Sequence, residues 1–249
     1  MAIQFSDTTT KDGILQRIEQ ELGFVDGHIT GDTDRLKFWT GSINLALDKV
    51  FHIIFRADGR WQFDDNNHTT YPILTGDVVA NQRDYSFTTD SDSNVILDIQ
   101  RVFYRQSTSS PYYEIYPVDV QSARESEISS FVDGTGVVAH PNSYDKTATG
   151  IFFDTLPPSN VTAGIKIYVN REGSYFTTAD TTKMPGFAGL YHEYLVLEPC
   201  YRFARANNLQ NKETLKRDLM ELEKNIEEFY SKRDRHSRSI MTSKITPFK

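Results

Sequence analysis

From Leu190 to Ala204 apolar residues cover most of the helical circumference, the pattern of a helix buried on several sides. Asn207-Asn208-Leu209-Gln210 breaks that pattern. A second helix over 211–233 then places Leu215, Leu219, Leu222, Ile226 and Phe229 at alternating spacings of four and three. This narrow seam runs between charged flanks, Glu213 with Arg217 and Glu228 with Lys232, each an i,i+4 pair in the favourable order. At 1.5 Å per residue such a rod is roughly 35 Å long. Its one apolar edge predicts a seam, within a bundle or between subunits.

Upstream, residues 1–10 are polar and Thr-rich and read as an arm ending in a helix cap at Thr8–Thr10. Ile14, Ile18 and Leu22 predict a short amphipathic helix. Gly23 to Thr33 reads as a Gly/Asp-rich loop, and Asp32 or Thr33 as the cap of a helix running to Arg56. That helix carries Leu36, Ile43, Leu47, Val50 and Ile54 on one face. After Trp61 the period becomes alternating, with strands predicted over 84–88, 95–105, 112–117, 150–154 and 164–171. Leu156-Pro157-Pro158-Ser159-Asn160 reads as the turn of a hairpin joining the last two. Gln121 to Val138 reads as an exposed excursion, and Met184-Pro185-Gly186-Phe187 returns the chain to helix.

The expected fold class is therefore α+β. A helical bundle from the N- and C-terminal helices carries an inserted small antiparallel β domain and an extended C-terminal tail. The expected segments are 1–60 (arm and helices), 61–185 (β domain), 186–233 (C-terminal helices) and 234–249 (basic tail).

Composition changes this picture little, charge more. With 249 residues, 38% hydrophobic and 24% charged, the chain can bury a sizeable core. No run approaches the roughly 18 apolar residues of a membrane span, and the first residues carry no signal-peptide pattern. No membrane partner is expected, and the protein reads as made and used without secretion. The single cysteine, Cys200, falls inside the first helix and reads as a small buried hydrophobe. The net charge of −7 argues against duplex nucleic acid as the main partner. It is unevenly spread: Ser231 to Lys249 holds six bases against Asp234 alone, about +5, which leaves about −12 for the body.

The candidate chemistry falls away on inspection. His192-Glu193 suggests a zinc HExxH motif, but Val196 stands where the second histidine is needed. Gly134-Thr135-Gly136 through Ala139 fits GxGxxA on paper, yet Pro141 denies it the following helix. Asp90, Asp92 and Asn94 begin like a calcium loop, but Val95 and Arg101 replace the required Gly and Glu. Asp64-Asp65 and Asp32/Asp34 suit turns and caps. The sequons at Asn67 and Asn160 have no secretory route. No catalytic, cofactor or metal constellation is expected, so the chain reads as a non-enzyme.

A series of short pieces points elsewhere: Trp61 with Asp64; Pro72-Ile73-Leu74; Asn81-Gln82-Arg83-Asp84-Tyr85; Val95 to Val102; Pro141-Asn142-Ser143-Tyr144; Ile151-Phe152-Phe153 with Pro157; the strand around Tyr168; and Met184-Pro185-Gly186-Phe187 before Tyr191-His192. In this order, over roughly Trp61 to Ala206, the chain resembles the adaptor, or head-to-tail connector, proteins of tailed bacteriophages. In that family a Q-x-x-Y strand start, a G-x-P-x-x-Y turn and an lP-x-x-y-h approach to a buried helix recur in sequence. Two positions depart from it: His140 precedes Pro141 where the family has glycine, and Pro199 sits where a small helix former is usual.

The resemblance implies a virion structural protein of the neck, with no active site and no cofactor. Its implied partners are the portal protein, further copies of itself in a ring (commonly twelve-fold), and a downstream neck, stopper or tail protein. Genomic DNA would pass without sequence-specific binding. The basic tail, with Arg235, Arg238, Ile240, Lys244, Phe248 and Lys249, is the expected portal-docking element. A basic segment poor in apolar residues does not fold alone but orders against an acidic neighbour. The alternative is a carbohydrate- or receptor-binding phage β module, with Trp61, Tyr112, Tyr113 and Tyr116 as a sugar platform. A hydrolase is a third class, for which the sequence offers no residues.

Overall fold

The computed structural model describes residues 3–57, 72–90, 95–120, 131, 137–147 and 150–232. The chain divides into two compact units, 1–67 with 174–249, and 68–173.

The first unit is helical: α1 (Ile14–Glu21), α2 (Thr33–Ala57), a 3-10 turn (Gly189–Tyr191), α3 (Tyr194–Ala206) and α4 (Lys212–Ser231). The apolar faces of α1 to α4 meet in one core, in which Ile18, Ile43, Val50, Leu195 and Ile226 are buried. Pro199 is buried inside α3. Asp32 caps α2: its carboxylate accepts the Asp34 and Arg35 N–H groups at 3.0 and 2.9 Å. These bonds, the Arg35 one foremost, hold its pKa below the usual carboxylate value. Two buried polar residues of α1 act as brackets. Gln16 accepts the Asp7 N–H at 2.8 Å, and Glu19 accepts those of Gly27 and Ile29 at 3.2 and 2.6 Å. The loop between α1 and α2 is thereby tied to the core.

The N-terminal arm expected from sequence is corrected here. Ile3 and Phe5 are buried, and the Phe5 ring stacks on Phe176 at 4.8 Å. The Phe5 and Ser6 N–H groups donate to the Lys183 and Thr181 carbonyls at 2.8 and 2.9 Å. Thr8–Thr10 does not cap the helix. Asp7 accepts the Thr9 and Thr10 N–H groups to make a separate turn, and α1 starts after Gly13. Gly13 is needed for that approach, because an added Cβ would fall 2.4 Å from the Asp7 nitrogen.

The second unit holds β1 (Ile73–Val78), β2 (Asp84–Ser86), β3 (Ile96–Tyr104), β4 (Tyr113–Pro117), β5 (Ser143–Thr147), β6 (Gly150–Phe153) and β7 (Val161–Arg171). They form one sheet in the order β1-β7-β3-β4-β5-β6-β2, antiparallel except for the parallel pair β4/β5. The sheet must curl. Its two edge strands are consecutive in sequence, and the link from Val78 to Asp84 can span at most about 21 Å. Seven flat strands would hold those edges about 29 Å apart. The Tyr85 hydroxyl locks that link, accepting the Val79 N–H at 3.1 Å and lying 3.1 Å from the Gln82 carbonyl. Gly164 lets β7 close on the bulged end of β1, where a Cβ would meet a Val78 methyl at 2.4 Å.

The expected helical bundle with a small inserted antiparallel β domain is therefore overturned. The protein is a mixed α/β fold dominated by a curled seven-stranded sheet, with four α-helices among the described residues. Three features of the chain hid this. Gly76-Asp77 and Asp145-Lys146 interrupt the apolar alternation of β1 and β5, so both read as loop and the sheet looked small. The expected hairpin across Leu156–Asn160 does not form: β6 pairs with β5 and β2, while β7 pairs with β1 and β3. Bulges also shift β3 against β7, so Gln100 and Arg101 are both exposed between buried Ile99 and Val102. The parallel pair needs a long crossover, and most of the predicted excursion that supplies it, 121–130 and 132–136, lies outside the described residues.

Candidate functional site

The predicted docking residues Arg235, Arg238, Ile240, Lys244, Phe248 and Lys249, and the extended tail as a whole, lie outside the described residues. The seam residues are placed. Leu215, Leu219 and Ile226 are buried in the helical core, Leu222 is half-buried against it, and Phe229 is 43% exposed. The α4 edge thus serves mainly the interior of its own unit.

The residues that carried candidate chemistry have structural partners instead. His192 is buried. Its Nδ1 accepts the Ile3 N–H at 3.0 Å, which leaves the proton on Nε2 for the Phe187 carbonyl at 3.0 Å. Burial holds its pKa below the usual 6.5. Asp90 is buried in an ion pair with Arg171, 2.8 Å from its Nη1; Asp92 and Asn94 lie outside the described residues, as do Gly134–Gly136 and Asp64-Asp65. Asp34 pairs with Lys37 on the surface, and the Asn160 side chain accepts the Ala80 N–H at 2.7 Å. Cys200 is buried, and burial pushes its thiol pKa well up, so it is not a reactive thiol. Glu198 is buried with Lys49 and Arg202 as counter-ions. Among the described residues no group of three or more His, Cys, Asp or Glu is placed to hold a metal ion. None of their helices is long and apolar enough to cross a membrane.

His192 gives a pH prediction. The unfolded chain binds the proton more readily than the buried imidazole does. The stability His192 contributes is therefore complete above about pH 6.5 and is lost as pH falls through the lower folded-state pKa. Protection of the Ile3 to Ser6 amides, corrected for the intrinsic slowing of exchange, should fall as pH drops below about 6.5. Replacing His192 with Gln should flatten that response. An unchanged Ile3 amide would disconnect the histidine from the segment.

Of the expected sugar platform only Tyr112, Tyr113 and Tyr116 are described, and these three do not share one open face. Tyr112 and Tyr113 are sequence neighbours and leave the strand on opposite sides. The Tyr112 hydroxyl donates to the Ala163 carbonyl at 2.5 Å and its ring lies under Lys166, while Tyr113 donates to Pro141 at 3.1 Å. Only Tyr116 is well exposed, and Trp61 lies outside the described residues.

Two exposed apolar features of the helical unit escaped the sequence reading. One is a cup of about 380 Å³ lined by Phe24, Phe38, Trp39, Phe203, His28, Asp34 and Arg35. Trp39 forms its floor, with Phe203 at 5.5 Å and Phe38 edge-on at 5.4 Å, centroid to centroid. The other is Leu190 on the 3-10 turn, beside Tyr191, whose ring packs edge-on against Phe229 at 5.5 Å. The available signal was Phe38-Trp39: adjacent aromatics on a helix cannot both face the core.

Compared with known proteins, the chain matches no family model and no curated protein.

Proposed function

We propose that the protein is a head-to-tail connector of a tailed bacteriophage, a virion structural protein of the neck that joins the portal to the tail and extends the DNA channel. The observation that carries this reading is the order of the short motifs from Trp61 to His192. Several of them serve as latches of the fold, which gives reason for their spacing. Tyr85 of Gln82–Tyr85 locks the link between the sheet edges. In Pro141–Tyr144, Asp154 accepts the Ser143 hydroxyl at 3.1 Å and the Asn142 N–H at 3.3 Å. After Met184-Pro185-Gly186-Phe187, His192 pins the N-terminal segment.

In this reading copies form a ring, twelve-fold in the family it resembles, through a heterologous interface. The acidic body, about −12 of a net −7, lets DNA pass without sticking. The basic tail grips the portal, and a stopper or tail protein docks on the far side. Deleting 234–249 should leave the fold intact, because α4 ends at Ser231. The same deletion should weaken co-sedimentation with purified portal assemblies by at least about tenfold, and salt should weaken the full-length contact. Equal binding by the shortened protein would remove the tail from the reading.

A further inference from the structure

We propose that two copies of this chain pair through the exposed side of α2, antiparallel and about a two-fold axis at Gly41 and Ser42. The first sign is Gly41 itself. It stands inside a 25-residue helix, where glycine is the poorest helix former apart from proline. Its backbone is helical and has no need of glycine. Nothing around it needs the space either, since an added Cβ would meet no neighbouring group within 4 Å. A bare, open position in a helix suits the close approach of a second backbone. On either side of it Phe38 and Leu45 are 58% and 51% exposed. Ser42 adds no height, because its hydroxyl is folded back on the Phe38 carbonyl at 3.0 Å. These four residues make an open apolar saddle roughly 10 Å long.

The order of charges along the helix names the occupant. With the axis between Gly41 and Ser42, each residue lies level with the one equally far beyond the axis in the other copy. Phe38 then meets Leu45 of the second copy, and Gly41 meets Ser42. Further out, Asp34 meets Lys49 and Arg35 meets Asp48, at both ends of the contact; all four are exposed. The remaining charge of this stretch, Lys37, is level with buried Ala46 and stands aside. Reversed, α2 is therefore its own complement, apolar against apolar and acid against base. The groups concerned are not used up within the chain. Asp34 is 93% exposed, with Lys37 only at 3.5 Å. Arg35 bonds His28 through Nη1 alone, and Asp48 accepts the Tyr175 hydroxyl through one oxygen. Lys49 reaches buried Glu198 yet remains exposed. Such a contact is isologous and closes at two copies, which sets it apart from the heterologous contact of a ring. It does not rest on the connector reading.

The test is sedimentation of the full chain over a range of concentrations, for wild type, Gly41→Leu, Phe38→Glu, Leu45→Lys and an equimolar mixture of the last two. Wild type should reach a dimer and stop there. Gly41→Leu should lose at least tenfold in dimerisation constant while the melting temperature of dilute protein holds or rises, since leucine fits an open helix position. Phe38→Glu and Leu45→Lys should each lose at least tenfold alone, because each sets a charge against an apolar group twice in the pair. Their mixture should regain the dimer, with one native Phe38–Leu45 contact and one pair of opposite charges. If a charged variant fails to fold, Phe38→Cys and Leu45→Cys chains report instead: a disulfide should form in their mixture and in neither alone. Buried Cys200 does not compete. A wild type that stays monomeric at every concentration or grows past the dimer would overturn the proposal. So would variants that pair like wild type, a mixture that pairs no better than its components, or cysteine chains that do not cross-link. None of these results bears on portal binding.

Discussion

Replacing Phe5 with Ala should cost the helical unit about 3–5 kcal/mol, the range for emptying a buried aromatic site. The ring is fully buried, stacked on Phe176, and its backbone is bonded on both sides: its N–H donates to Lys183 and its carbonyl accepts the Leu15 N–H at 3.2 Å. The neighbouring groups cannot collapse into the space, because Gln16 and His192 fix the segment on either side. Denaturant unfolding followed by amide exchange in α1 and α3 reads this directly. A loss below about 1 kcal/mol would mean that the first residues lie loosely on the surface, as an arm would.

The second large effect belongs to the sheet. Asp90→Ala should destabilise the 68–173 unit by about 3–5 kcal/mol, because it removes the buried carboxylate 2.8 Å from the Arg171 guanidinium. Both side chains are 1% exposed. Removing both charges, as Asp90→Leu with Arg171→Met, should cost clearly less than Asp90→Ala, since desolvation of the arginine is then relieved as well. Amide exchange in β7 and β3 separates this loss from the helical unit. If the double variant were the worse of the two, packing rather than charge pairing would be what Arg171 supplies.

The sequence made some of this legible and concealed the rest for definite reasons. Leu36, Ile43, Leu47, Val50 and Ile54 mark the buried side of α2, and the polar break after Ala206 falls where α3 ends and α4 begins. Periodicity works there because each helix buries one stripe. It fails in β1 and β5, where polar and glycine residues sit at the edge or next to the parallel pair, so the sheet was undercounted. It fails again at the end of β7. The expected wet face stops at Tyr168, and Asn170 and Arg171 are both buried, a charge in a strand being readable only once its partner Asp90 is known. Phe5 was hidden among polar residues, with only Ile3 to suggest a buried stripe. Among site residues, the α4 seam was visible as a stripe, but its role inside the unit follows from what α4 packs on. The cup was not visible, because Phe24, Phe38 and Phe203 are brought together only by the antiparallel course of α2 and α3.

Electron microscopy of the protein mixed with purified portal assemblies tests the connector reading most directly. A closed ring added to one end of the portal, lost when 234–249 is deleted, is the expected image. Portal assemblies without added density, at protein concentrations well above saturation of any specific contact, would contradict it.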